Sequence, residues 1–364
     1  MLLITTSYWI VPTLRRELSY HRYKHFHPFD TWVYTNGWVE EAAYLNLRLR
    51  TASKVRIEIG ESRRSQTFES LYQRMLSHDR AEYLDEWREI TISVHTRQSK
   101  LNAWRTIQSV AHKAIIEQRT GNKDGDRFVD TTKKPLEIRI MIDGDKVRIF
   151  VNTSGSALHQ RGYRTASGEA PLREHIAAAL VLMTSRGYSD PFIDPLCGSG
   201  TIPIEAAMIA SNRAPWLQRA FAWEDFPIAP KWLKEHLIEQ AKWKIYEKDY
   251  AIQGYDIDPT VLHTANANAV RAWVGQLVSF ENKSLFDQIF TDNQTLITNP
   301  PYGQRLRWNE VQKIHTTLAR ESQKTHASTI ITWYPESEQL FKGDIWKRKD
   351  VKNGGNEVGV YVRR

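Results

Sequence analysis

The residues with the clearest chemical potential are Thr298-Asn299-Pro300-Pro301-Tyr302-Gly303. Leu296 and Ile297 lead into them and read as the end of a buried strand. Consecutive prolines lack a backbone donor and fix φ, so a sheet ladder stops where they begin. Asn299 is therefore expected at a strand exit, on the stiff support of Pro300 and Pro301. The Asn299 side-chain oxygen and the Pro300 carbonyl can both accept hydrogen bonds from an exocyclic NH2. That turns the lone pair of a conjugated, weakly nucleophilic amine towards an electrophile. The ring of Tyr302 can stack on the planar group that carries the amine. A proline-stiffened turn with no chemistry has the same sequence, so the motif needs its context.

A second constellation supplies that context. Pro191 to Asp194 reads as a short strand, followed by Pro195-Leu196-Cys197-Gly198-Ser199-Gly200-Thr201 and a helix from Ile202 to Ala210. Gly198 and Gly200 permit a tight turn and close approach of a ligand to the backbone. The helix that follows offers unpaired N–H groups suited to a carboxylate or phosphate. There is no third glycine at dinucleotide spacing and no Gly-Lys-Ser/Thr, which weakens nicotinamide and nucleoside-triphosphate readings. Further on, Ala251 to Asp258 is a strand ending in carboxylates. Asp256 is placed to hold ribose hydroxyls, with Ile257 beside it, and Asp258 to cap the helix starting at Pro259. A loop charge at Asp256 is the competing reading. Strand, glycine loop, helix, acidic strand end and Asn-Pro-Pro-Tyr, in that order, fit S-adenosylmethionine with an amine acceptor better than any one motif does.

The elements that must position these residues are consistent with an α/β chain of two or three units. At 364 residues with 41% hydrophobic content, the chain can bury real cores. Residues 2–6 read as a strand, Thr13 to Tyr20 as a helix opened by Pro12, and Thr31 to Thr35 as a strand before the turn signal Asn36-Gly37. Glu40 to Arg50 suits a helix and Lys54 to Ile59 a strand. A second unit follows, with a helix around Phe68 to Met75, a strand from Glu89 to His95, and a helix from Asn102 to Gln118. The apolar face of that helix holds Trp104, Ile107, Val110, Ala111, Ala114 and Ile115. Leu136 to Ile142 and Val147 to Asn152 form a hairpin around Asp143-Gly144. Ser154 to Gly168 reads as a linker. Beyond it, strands and helices alternate as in a mainly parallel sheet.

The charge is +8, from 50 basic and 42 acidic residues. Before residue 156 there are 25 Lys/Arg and 19 Asp/Glu, or +6; after it 25 and 23, or +2. The N-terminal excess, with Arg97, Lys100, Arg105, Lys113 and Arg119 close in sequence, favours a polyanionic partner, and a solvated helix face reads the same way. Cys197 is the only cysteine, so no intrachain disulfide is possible. The N-terminus does not read as a signal peptide, since its apolar run precedes Arg15 and Arg16. The longest apolar run, Ile176 to Met183, is too short to span a bilayer. A cytoplasmic location without membrane attachment is expected. His21, His25 and His27 lack the partners of a metal set, and no metal site is expected.

Asp194 to Thr201 together with Asn299 to Tyr302 resembles the Rossmann-like S-adenosylmethionine-dependent methyltransferases that act on amino nitrogens. Residues 157–175, 46–55 and 99–116, and Asn353-Gly354, resemble the THUMP-domain RNA guanine-N2 methyltransferases. The similarity covers nearly the whole chain. It is nearest to the bacterial 23S rRNA guanine-N2 methyltransferase branch, without the second methyltransferase domain fused in some bacteria. The resemblance implies a ferredoxin-like N-terminal unit over residues 1–62, a THUMP RNA-binding domain over 63–155, and a Rossmann-like methyltransferase domain over 156–364. It implies cofactor contacts at Asp194, Pro195, Cys197, Gly198, Gly200, Thr201, Asp256 and Ile257, and a transfer site of Asn299, Pro300, Pro301 and Tyr302. Where the family often has an Asp for the adenine amine, this chain has Ser284, which leaves Ser284 or the Leu285 backbone as substitutes. The implied substrate is structured RNA, rRNA first and tRNA second. DNA adenine-N6 and protein glutamine-N5 methylation are compatible with the tetrapeptide, and a non-catalytic RNA-binding assembly factor is the reading from another class.

Overall fold

The computed structural model describes residues 1–26, 31–62, 65–78, 81–84, 88–121, 134–164, 172–184, 190–301, 306–343, 345–353 and 356–363. The chain forms two compact units. One comprises Met1–Thr6, Leu18–Leu158 and Trp216–Glu239; the other comprises Ser7–Glu17, His159–Pro215 and Gln240–Arg364.

The first unit is built on a seven-stranded sheet. Its strands are β1 (Leu2–Thr5), β2 (His25–Phe26), β3 (Trp32–Thr35), β4 (Lys54–Ser62), β5 (Ile90–Arg97), β6 (Leu136–Asp143) and β7 (Lys146–Asn152), in the order β2-β3-β1-β4-β7-β6-β5. Among the described residues of this unit, only β5 and β6 pair in parallel. Period-two alternation in β6 and β7 buries Ile138, Ile140, Ile149 and Val151 on one face and leaves Glu137, Arg139 and Arg148 on the other. The expected hairpin forms: Gly144 and Asp145 both have positive φ (55° and 66°), as a two-residue turn between β6 and β7 requires. Asp145 then accepts from Ser99 Oγ and the Lys100 N–H, both at 2.9 Å, fixing the end of β5 to the turn.

Asn36-Gly37 leads from β3 into the helix Val39–Arg48, the order of elements expected there. A Cβ at Gly37 would come within 2.8 Å of both Glu41 and Leu2, so close packing explains the glycine. In the helix Trp104–Thr120 the buried face is Ile107, Ala111, Ala114 and Ile115, whereas Trp104 is exposed with the Arg105 guanidinium 5.1 Å from its ring. Nor is the stretch from Ser154 a solvated tether in its described part. Ser154 and Leu158 are fully buried, and Ser154 Oγ donates to Asn46 Oδ1 at 2.5 Å.

The second unit holds β8 (Phe192–Asp194), β9 (Ile252–Asp256), β10 (Val278–Asn282), β11 (Thr295–Thr298), β12 (Ala327–Thr332), β13 (Trp346–Asn353) and β14 (Asn356–Arg363). Their order is β10-β9-β8-β11-β12-β14-β13, with the first five parallel and β14 antiparallel to both neighbours. The order reverses between β8 and β11, which creates a crevice at the carboxyl ends of those strands. Apart from half-buried Leu182, the helix Glu174–Thr184 is buried all round, as is the whole of Thr201–Ala210. Both join the main core with Ile252, Ile297, Ile331 and Val360, so the crevice stands on a rigid base. Among the described residues, no helix is long and apolar enough to cross a membrane.

Candidate active site

Four strand ends converge at the crevice. β8 is three residues long and wholly buried, and it ends in Asp194. Burial pushes the Asp194 carboxyl up to about 7, and the charge of Asp256 adds to this; the Thr298 hydroxyl and the Leu196 N–H pull the other way. The Leu196 N–H donates to Asp194 Oδ1 at 3.2 Å.

The glycine loop is then folded back on β9. The Cys197 N–H donates to the Tyr255 carbonyl at 2.8 Å, and the Gly200 N–H to the Cys197 carbonyl at 2.9 Å. Gly198 and Gly200 adopt φ of 54° and 81°. At Gly200 a Cβ would meet the Phe280 ring at 2.8 Å, and at Gly254 it would meet the same ring at 2.7 Å. Phe280 of β10 therefore fills the space that two glycines leave, and the loop can lie flat on the sheet. Nothing lies within 4 Å of a Cβ built on Gly198, which faces open space. Gly200 also serves as N-cap of Thr201–Ala210 with no side chain to cap the first amides. An anion-receptive helix start thus borders the open space. The Cys197 thiol is buried, and burial with Asp194 and Asp256 nearby raises it well above its ordinary value, so it stays protonated.

Asp256 ends β9. Its Oδ2 accepts from the Gly198 N–H and its Oδ1 from the Asp258 N–H, each at 3.0 Å. A carboxylate has about four acceptor positions, so both oxygens keep capacity for a ligand hydroxyl. Asp258 caps the next helix as expected, accepting from the Thr260 N–H at 2.8 Å. Ile257 is 71% exposed, an apolar side chain left bare beside the carboxylate. Ser284 follows β10 and accepts from the Phe286 N–H at 3.2 Å, capping the single turn Leu285–Asp287. Leu285 points its side chain into the core, while Phe286 is half exposed under Lys313 Nζ at 4.3 Å.

β11 is buried along its whole length, and the chain leaves it through half-buried Asn299, buried Pro300 and exposed Pro301. Tyr302 lies outside the described residues.

The motifs did not reveal the groups that hold this loop. Asn282 Nδ2 donates to the Asp256 and Ile257 carbonyls at 3.0 and 2.8 Å, fixing the end of β9. Buried Asn268 donates to the Ser199 carbonyl at 3.0 Å; Arg271 in turn donates to Asn268 Oδ1 at 2.6 Å and to the Tyr163 carbonyl at 2.7 Å. Gln288 Nε2 donates to the Pro195 carbonyl at 3.2 Å. Arg161, expected in a linker, forms a fork with Glu205 on the helix Thr201–Ala210 at 3.0 and 3.3 Å, both side chains fully buried. The sequence signals are slight: an Asn ending a strand, and an Arg and a Glu in otherwise apolar surroundings.

The parallel sheet with an antiparallel final hairpin, reversed between β8 and β11, and the glycine loop gripped by the acid of the next strand define an α/β methyltransferase fold. Residues 161–359 match the RMKL-like methyltransferase domain, and the chain belongs to that family. It is 30% identical over 328 residues to YpsC of Bacillus subtilis (strain 168), a protein provisionally named an RNA methyltransferase, covering 87% of this chain and 83% of YpsC. It is 39% identical over 186 residues to ribosomal RNA large subunit methyltransferase K/L of Vibrio campbellii, covering 49% of this chain and 26% of that one. Among solved structures it resembles SMU.472, provisionally assigned as a methyltransferase and complexed with SAH (30% identity, TM-score 0.86, 100% and 97% of the two chains). It also resembles a protein of Listeria monocytogenes str. 4b F2365 described as a predicted N6-adenine-specific DNA methylase (28% identity, TM-score 0.88, 100% and 95%).

Proposed function

We propose that the chain transfers a methyl group from S-adenosylmethionine to the N2 amine of a guanine in structured RNA, most consistently 23S rRNA. The observation that carries the reading is the convergence at one crevice of the open glycine turn at Gly198, the carboxylate of Asp256 and the exit of Asn299-Pro300 from a fully buried strand.

The residues present fit the donor. The first amides of Thr201–Ala210, with Gly198, Gly200 and Thr201, would hold the methionine carboxylate; Asp194, with Pro195 and Cys197 around it, would face the ammonium group. Asp256 would accept the ribose hydroxyls, and exposed Ile257 would cover one face of the adenine, with Ser284 and the Leu285 backbone at its edge. When bound, S-adenosylmethionine supplies an electrophilic methyl on sulfur. The chain's own part is positional: Asn299 and the Pro300 carbonyl accept from the amine and aim its lone pair, Pro301 stiffens the turn, and Tyr302 stacks the base. A guanine inside a duplex cannot reach the crevice, so the base must be extruded or single-stranded. Residues 1–62 are read as the ferredoxin-like unit and 63–155 as the THUMP domain, which together supply RNA affinity.

The same crevice would orient adenine N6 or glutamine N5, so the acceptor must be measured. Mass spectrometry of 23S rRNA and tRNA from a strain lacking the gene should show one N2-methylguanosine missing, restored by the gene. Methylation that instead appears only on DNA or protein in a substrate panel would replace the RNA reading.

A further inference from the structure

The first unit holds a cavity that the methyl-transfer reading does not use. Register puts Trp32 and Tyr34 of β3 on the same face of the sheet as His95 of β5, Met141 of β6 and Arg148 of β7. β3 and β5 are separated by four strands. In a flat sheet with strands about 4.8 Å apart, they would stand roughly 24 Å from each other. Yet the ring centroids of Trp32 and His95 are 5.3 Å apart, edge to face, and Tyr34 Oη reaches Met141 Sδ at 3.8 Å. The sheet is therefore curled almost onto itself. The inside of the curl is floored by a small apolar cluster of Leu3, Tyr34, Met141 and Phe150. Above the floor lies a cavity of about 150 Å³ walled by Trp32, Tyr34, His95 and Arg148.

The walls are planar and the mouth is cationic. Arg148 sits 4.3 Å over the Tyr34 ring and is held there by Glu58 at 2.6 and 2.9 Å. Arg97 and Lys146 stand at the mouth, each about half exposed and each in a surface ion pair, with Asp143 at 2.8 Å and Glu61 at 2.5 Å, that a phosphate would have to share. Counted by register, the face carries Lys54, Arg56, Arg97, Arg139, Lys146 and Arg148 against Glu58, Glu61, Glu137 and Asp143. The Arg139 guanidinium is destabilised by burial and by neighbouring Arg56, a state that an added anion would relieve. Burial and two adjacent arginines hold His95 below its ordinary value, so it enters the cavity as a neutral ring able to donate and accept. Sheet faces with aromatic side chains and a cationic rim are a general means of taking unstacked bases.

We infer that this cavity receives one unpaired nucleobase of the RNA substrate, in the space bounded by Trp32, Tyr34 and His95, with the adjoining phosphates on Arg97 and Lys146. This rests on the RNA reading above and adds a second, non-reacting contact, which would fix the distance between the methylated guanine and an unpaired nucleotide elsewhere in the same RNA.

The test uses the full chain with Trp32→Ala, Trp32→Phe and Arg97→Glu. Binding is read by anisotropy with labelled nine-nucleotide single-stranded oligomers of A, C and U, and turnover with 23S rRNA from the strain lacking the gene. Trp32→Ala and Arg97→Glu should each weaken oligomer binding about tenfold and raise KM for the rRNA. Both should leave kcat and S-adenosylmethionine affinity unchanged, and Trp32→Phe should recover much of the binding. Arg97→Glu changes an exposed side chain and carries the test if Trp32→Ala does not fold. Wild-type oligomer affinity in Arg97→Glu, or competition by free AMP as effective as by an oligomer, would overturn the RNA contact. If wild type binds the oligomers through these residues but methylates no RNA, the acceptor reading fails and the cavity stands. If it methylates RNA and the variants are indistinguishable from it, the reverse holds.

Discussion

Asp256 and Asp194 are chemically alike but differently placed, and their placement divides their roles. Asp256 is tied to two backbone N–H groups and keeps acceptor capacity facing the open turn at Gly198. Asp256→Ala should weaken S-adenosylmethionine binding about tenfold or more, since charge-assisted hydrogen bonds contribute roughly 1.5–3 kcal/mol. Calorimetry with unchanged cofactor affinity would remove Asp256 from the site. Asp194 is fully buried and titrates near 7 in the fold against 3.8 in its ordinary state. Its folded value is raised, so its contribution to stability is fully present below about pH 4 and is lost as pH rises through about 7. Cofactor-free wild type should therefore lose more Tm between pH 5 and pH 8 than Asp194→Asn. Equal losses in a thermal melt series would mean that the burial of Asp194 is not felt. The acidic strand ends and glycines were legible because strand ends announce themselves in sequence. Asn268, Asn282 and Phe280 were not, because each acts across a tertiary contact that no local pattern encodes.

The elements were readable where periodicity governs and misread where burial overrides composition. Most strands and helices fall where alternation and helical spacing put them, including the β6–β7 turn and the cap at Asp258. Ser154 to Gly168 reads as a tether because it is rich in Ser and Gly. Its described part, to Arg164, is instead packed, and Arg161 is neutralised by Glu205, 44 residues away. Such a pair contributes little net stability but is costly to break on one side. The loop itself depends on Phe280 lying over Gly200 and Gly254. Gly200→Ala combines a positive φ with a 2.8 Å approach to that ring, so it should destabilise by more than about 1 kcal/mol and weaken cofactor binding. Part of that loss should vanish when the same change is made in Phe280→Ala. Strictly additive melting shifts in the double-mutant cycle would show that ring and loop are not coupled.

At the scale of the molecule, the first unit is not closed by the first 155 residues. The chain returns to it at Trp216–Glu239, where the Trp223 N–H donates to the Thr153 carbonyl at 3.1 Å, Arg219 binds the Ser154 and Ala157 carbonyls, and Arg88 pairs with Asp225 at 2.9 Å. RNA affinity is therefore best measured on the whole chain. With +6 of its charge before residue 156, binding should fall steeply with salt. A logarithmic plot of affinity against salt with no slope would argue against phosphate contacts. The central claim is that Asn299 aims an RNA amine at the methyl donor. The most direct measurement is single-turnover transfer of labelled methyl from S-adenosylmethionine to 23S rRNA of the strain lacking the gene, by wild type and by Asn299→Ala. Wild type should label guanine N2, and Asn299→Ala should be slower by roughly a hundredfold or more, with cofactor and RNA affinity and Tm retained, since one well-placed polar group can contribute that much. A near-wild-type rate for Asn299→Ala would mean that Asn-Pro-Pro is only a stiff turn and that transfer is directed by other residues.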